Sequence, residues 1–178
     1  MRQFGTAGDR FLQTLTTEIG SEFRGAVIPV SDQQGSAIDF SAPRLILRVR
    51  GEALVKSADV IQTDSGARFI VADHFEAEAG WRAYKLFSAE RQMVWKRPSR
   101  AVDVLTGLAK AAGAPTTVGN VWVTDELARR QFSDPGLKVP IERTVIITNS
   151  PVLPNDTLDG KSVTRVNQEL GLYILEIH

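Results

Sequence analysis

The sequence predicts a mainly β protein: a small β-barrel or sandwich with an N-terminal amphipathic helix, followed by a second β-rich subdomain. Three observations predict this fold class. Short alternating or β-branched segments recur along the chain, turns rich in glycine and proline separate them, and one stripe of apolar residues at helical spacing lies near the N-terminus. We place the helical segment at residues 1–24, the barrel at 25–97 and the second subdomain at 98–178.

The composition is that of a folded protein without thiol chemistry. The 178 residues are 43% hydrophobic and 24% charged, which is enough for a buried core. The absence of cysteine excludes disulfides, thiolate zinc sites and a cysteine nucleophile. The 21 basic and 21 acidic residues cancel. Tight, sequence-independent binding to nucleic acid is therefore not expected, because such proteins carry a basic excess.

The helix is predicted over residues 8–23. Phe11, Leu15 and Ile19 follow one another at intervals of four, which places them on one helical face. This apolar face requires a partner surface. Either the helix packs on its own β domain or it docks on a neighbouring subunit.

Residues 44–50 form the most regular predicted strand. Alternation directs Leu45, Leu47 and Val49 to one face and the arginines to the other. The arginines of this basic face are Arg44, Arg48 and Arg50. The face has three possible roles: it is exposed to solvent, it pairs with a neighbouring subunit, or it lines a channel.

A hairpin is predicted from residues 59–64 and 67–72, because Gly66 between them tolerates a turn conformation. A polar loop at 73–80 follows, then strands at 81–87 and 92–96. A second basic run next to Trp95 contains Lys96, Arg97 and Arg100. Such a run can contact nucleic acid, or it is simply the end of a strand before a linker.

The C-terminal half is also predicted to be largely β. Residues 101–113 favour strand and loop over helix, because glycine and proline interrupt them. A short helix is predicted at 125–132. The remaining segments have strand patterns: 118–123, 143–148, 161–166 and 172–177.

No catalytic motif is present, so we expect no enzyme and no cofactor. Residues 160–162 read Gly-Lys-Ser but lack the preceding glycine of a phosphate-binding loop, and are better explained as a hairpin turn. The best metal-ligand candidates are His74, Glu76 and Glu78, which alternation in an extended segment would place on one side. The alternative is an ordinary solvated loop, since no second nearby histidine completes the set.

The hairpin over residues 59–73 supports a resemblance. Its Asp-x-Ile start, followed by Gly66, Phe69 and Val71, resembles the central hairpin of head-completion proteins of tailed bacteriophages. The similarity covers roughly residues 8–97. The last 80 residues depart from the small members of that family, which end near the first barrel.

The resemblance implies a structural protein of the virion, assembled in the host cytoplasm. It implies a ring of identical subunits in the neck, with portal or adaptor proteins above, tail proteins below and DNA passing through without specific recognition. Under this resemblance, the arginines and the lysine of the two basic segments are candidates for contacts with the channel or between subunits. Loops 31–42 and 73–80 are candidates for docking on neighbouring rings. Two alternatives remain: a tail-terminator or baseplate module, and a small metal-binding protein.

Overall fold

The structure, a computed structural model, describes residues 12–29, 45–51, 53–76, 80–89, 91–102, 109–111, 113–124, 127–134 and 137–178. For residues 75–76, 101–102, 109–111, 127–134 and 137–143 it describes the backbone alone. These described residues contain strands and no helix, so the predicted mainly β class is confirmed. Within them there is accordingly no helix of the length and apolarity that crossing a membrane requires.

The chain divides into two units, residues Met1–Glu90 and Arg91–His178. The first unit is a closed barrel of six strands in the order β1-β2-β3-β6-β5-β4, so the predicted barrel is also confirmed. Every neighbouring pair is antiparallel. The strands are β1 (Gln13–Thr17), β2 (Glu22–Pro29), β3 (Leu45–Arg50), β4 (Val60–Thr63), β5 (Arg68–Glu76) and β6 (Trp81–Ser88).

Inward-facing residues of each strand fill the barrel. On β3 the predicted alternation is observed: Leu47 and Val49 are buried, whereas Arg48 and Arg50 are exposed. Closure leaves this sheet without a free edge, because β1 pairs with both β2 and β4. The core residues are Leu15, Leu47, Val49, Val55, Ile61, Phe69, Val71, Tyr84 and Leu86.

The predicted helix over residues 8–23 is wrong for its described part, and residues 8–11 lie outside the description. The barrel takes up this segment as β1 and the start of β2. Leu15 and Thr17 are both buried, which is the two-residue period of a strand. Ile19, which helical spacing placed with Leu15, is 90% exposed in the turn between the strands. The β-branched threonines of β1 favour the extended conformation.

The predicted hairpin at residues 59–72 is confirmed. β4 pairs with β5 from Val60↔Ile70 to Gln62↔Arg68, and Gly66 has a φ of 90° in the turn. The loop predicted at 73–80 is shorter, because β5 continues through a bulge after Val71 to Glu76. His74 in this stretch is exposed, as suits a strand that pairs with β6 and has one face toward solvent.

The second unit contains a seven-stranded sheet in the order β10-β7-β13-β14-β15-β12-β11, and a separate small pair, β8-β9. Asp159 and Gly160 both have positive φ and connect β13 to β14 as a tight hairpin turn. The strands are β7 (Arg91–Arg97), β8 (Arg100–Val102), β9 (Ala109–Ala111), β10 (Thr116–Val123), β11 (Leu127–Asp134), β12 (Leu137–Thr148), β13 (Thr157–Leu158), β14 (Lys161–Glu169) and β15 (Leu172–Ile177).

The end of β10 lies beside β12. At the end of β10, the Thr124 backbone N–H donates to the Ile147 carbonyl on β12 at 3.0 Å, and Thr148 Oγ1 donates to the Trp122 carbonyl at 2.8 Å. The chain then continues into β11, which pairs with the other half of β12. The core of this unit comprises Met93, Trp95, Val121, Val123, Ile146, Val152, Leu158, Val163, Leu175 and Ile177.

A second predicted helix also differs from the structure. The short helix predicted at 125–132 is wrong over Leu127–Phe132, where β11 pairs with β12. The sequence predicts the boundary between the two β regions after residue 97. In the structure the strand Arg91–Arg97 pairs with β10 and β13, and the division into two compact units falls after Glu90.

Candidate functional site

The basic face of β3 is present in the first unit. Arg48 and Arg50 are both exposed, as alternation requires, while Arg44 lies outside the described residues. Arg50 is held against β6, with its guanidinium 5.7 Å from the centre of the Trp81 ring. This distance is in the range of a cation–π contact, so one of the candidate arginines has a fixed position on the barrel wall.

The basic residues of the second run have different environments. Lys96 is exposed on β7, and Arg100 is exposed at the start of β8. Arg97 is half-buried, because its guanidinium lies 4.9 Å from the centre of the Trp95 ring and contacts a buried carboxylate. Of these three cations, Arg97 alone has a described ion pair with a buried carboxylate.

That buried carboxylate, Asp156, is the best-defined polar centre of the described residues. Its side chain is 2% exposed, against 40% for Arg97. Trp95 Nε1 donates to Asp156 Oδ2 at 2.7 Å, and Arg97 donates from Nε to Oδ1 at 3.1 Å and from Nη2 to Oδ2 at 3.0 Å. The Leu153 backbone N–H donates to Oδ2 at 3.0 Å. Asp156 thus ties β7 to the turn that precedes β13.

The ionised state of Asp156 is set by two opposing effects. Burial raises its pKa, but the hydrogen bonds from Arg97, from the Leu153 N–H and from Trp95, together with the charge of Arg97, outweigh burial and lower the pKa below the ordinary 3.8. The same hydrogen bond raises the pKa of Arg97 further above its usual range. The pair is therefore charged at neutral pH, and its arrangement is that of a structural clamp.

The clamp could be predicted only in part from the sequence. The spacing of two between Trp95 and Arg97 places both side chains on one face of a strand. Asp156 is 59 residues from Arg97 in the chain. No local pattern links the two positions, because their contact depends on the pairing of β7 with β13.

His74 lies in β5 and is exposed, with its ring centre 5.7 Å from that of Tyr84. The extended conformation assumed for the metal-site hypothesis holds for residues 74–76, since His74 and Glu76 pair with β6. The Glu76 side chain and all of Glu78 lie outside the description. Among the side chains that the structure does describe, no three His, Asp or Glu residues are grouped so that they could hold a metal ion.

A groove of about 630 Å³ opens beside the turn between β1 and β2. Phe23, Ala53 and Leu54 supply apolar lining, and Glu22, Arg24 and Arg50 supply charges of both signs. Leu54 is 87% exposed. Among the lining residues that the structure describes, Glu22 is the only acid and there is no histidine.

Comparison of the chain with models of known protein families finds no match, and comparisons with curated proteins and with solved structures find none either.

Proposed function

We propose that this chain is a structural component of a tailed-phage neck, which forms a ring between the portal or adaptor and the tail. The main support is the closed six-stranded barrel built around the β4–β5 hairpin. That hairpin carries the resemblance to head-completion proteins. Its Phe69 and Val71 are core residues, so the resembling pattern coincides with positions that build the barrel.

The charge distribution agrees with a passage for DNA. A wall that DNA slides past binds it weakly, and the chain as a whole has no net charge. The exposed Arg48 and the stacked Arg50 on β3 are candidates for the channel wall or for a contact between subunits.

Particle composition tests the proposal. Virions produced by the genome that encodes this chain should contain it, and imaging should show it as a ring between head and tail. Particles made without it should be filled heads that lack tails. A protein absent from virions would overturn the proposal, and particles with a complete neck and tube but no baseplate would assign it to the baseplate instead.

A further inference from the structure

The longest strand of the second unit extends beyond the sheet to which it belongs. β12 has 12 residues, but it pairs with β15 only from Thr144 to Thr148. Among the described strands, residues 137–143 pair only with β11, in a ladder that runs from Asp134↔Leu137 to Leu127↔Val145. We call β11 together with residues 137–143 of β12 the arm. Among the described strands, no third strand pairs with it.

A ribbon of two strands has low stability by itself. It has no second layer against which apolar side chains can be buried, so isolated hairpins are marginally stable in water. The sequence of the arm is nevertheless rich in large apolar residues, with four basic and two acidic residues among them. The apolar residues are Leu127, Phe132, Leu137, Val139 and Ile141. Such a composition indicates that another surface completes the arm.

One strand edge in the same unit has no partner among the described strands. The first part of β10, residues Thr116–Asn120, pairs with β7 on one side and with no described strand on the other. Thr116, Thr117 and Asn120 are exposed, and Val118 is 46% exposed. This stretch contains no charged residue and no proline. Charged residues and proline are two of the features that commonly prevent a strand edge from pairing with another chain.

The shape of this edge favours a hairpin as its partner. A bulge between Thr117 and Gly119 bends β10. A long, flat pairing between the β10 edges of two copies is therefore disfavoured, whereas a two-stranded ribbon is strongly twisted and can follow the bend. The barrel of the first unit offers no such edge, because it is closed.

We propose that the arm of one copy pairs with the open edge of β10, residues Thr116–Asn120, in a second copy of this chain. The two surfaces differ, so the contact is heterologous and each copy can both give and receive an arm. Strand addition at an edge obtains affinity from backbone hydrogen bonds. This contact joins neighbouring copies in the proposed ring. The pairing itself does not depend on the proposed function; only the closure of the assembly into a ring does.

The absence of cysteine allows a direct test by cross-linking. Thr117→Cys marks the β10 edge and Gln131→Cys marks the arm, each as a single thiol. When the two purified variants are mixed and treated with a bis-maleimide, a covalent dimer can form only between copies. The matched control mixes Gln131→Cys with Asp64→Cys, which carries an exposed thiol on the β4–β5 turn of the closed barrel. The expected dimer yield is about tenfold or more above the control, because pairing raises the local concentration of the two thiols.

A double variant, Thr117→Cys with Gln131→Cys, should give a ladder of covalent trimers and larger species. Yield equal to the control, or consumption of both thiols without any gain in mass, overturns the proposal. Melting curves establish that each variant folds, and Asn120→Cys is the replacement at the edge if Thr117→Cys does not. Failure here leaves the neck proposal intact, because the presence of the chain in virions is measured separately.

Discussion

At the scale of single residues, Asp156 connects β7 to the turn that precedes β13. Its carboxylate receives hydrogen bonds from an indole, a guanidinium and a backbone N–H. These donors converge on a side chain that is almost fully buried, where an unsatisfied polar group is costly. Much of the order around the turn at residues 151–156 therefore depends on one negative charge.

Replacement of this carboxylate by an amide should destabilise the second unit. In Asp156→Asn the side-chain NH₂ group is a donor and cannot accept the hydrogen bonds that Arg97 donates. We therefore expect a loss of about 1–3 kcal/mol in the free energy of unfolding. This is measured by urea denaturation. Asp64→Asn, on the exposed β4–β5 turn, is the control and should change stability little. Equal effects of the two substitutions would contradict the clamp.

The stability that Asp156 contributes should depend on pH with a definite sign. Its pKa in the folded protein lies below the ordinary 3.8, so the folded state favours the ionised form. The contribution is fully present above the unfolded pKa and is lost as pH falls below about 4 through the folded pKa. The stability difference between the parent protein and Asp156→Asn should therefore shrink when denaturation is measured at pH of about 3 instead of about 7.

At the scale of elements, the barrel depends on a close approach at one glycine of β2. A Cβ at Gly25 would lie 2.9 Å from Leu15 Cδ1, 3.0 Å from Leu47 Cδ1 and 3.1 Å from Val49 Cγ1. These three side chains belong to the barrel core and have little room to retreat. The backbone of β2 at Gly25 therefore lies directly against the barrel core.

Gly25→Ala should consequently destabilise the barrel by about 1–3 kcal/mol through overpacking. Gly119→Ala on β10 is the matched control, because a Cβ there would meet nothing within 4 Å. Thermal unfolding of both variants followed by circular dichroism makes the comparison. A Gly25→Ala protein as stable as Gly119→Ala would show that the core accommodates the added methyl group.

The elements also show what the sequence could and could not predict. The alternation of β3 and the glycine turn between β4 and β5 are local patterns, and both were predicted correctly. The helix over residues 8–23 failed because Leu15, Ile19 and Phe23 satisfy helical spacing by coincidence, while pairing with β2 and β4 determines the actual conformation of β1. Tertiary pairing overrides such weak local signals.

The candidate site was less predictable than the fold. The exposed face of Arg48 and Arg50 follows from the period of a strand. The role of Arg97 does not, because its partner Asp156 is brought near only by the pairing of β13 with β7. The pairing of β11 with β12 is likewise a property of the register and not of any local motif.

At the scale of the whole molecule, the two units have separate cores. Each core draws its residues from one side of the division after Glu90. Calorimetry should therefore resolve two unfolding transitions. Asp156→Asn should lower the midpoint of one transition and Gly25→Ala that of the other, by roughly 4–8 °C for each kcal/mol lost in units of this size. A single transition shifted by both substitutions would show that the units unfold together.

β12 runs without interruption from the arm into the seven-stranded sheet, and this continuity has a mechanical consequence. A pull on the distal end of the arm would act along the axis of β12, perpendicular to the hydrogen bonds that join Thr144–Thr148 to β15. Those bonds would then share the load and have to rupture together, whereas a sideways pull would open them one at a time. The hairpin is thus anchored in the geometry that best resists tension.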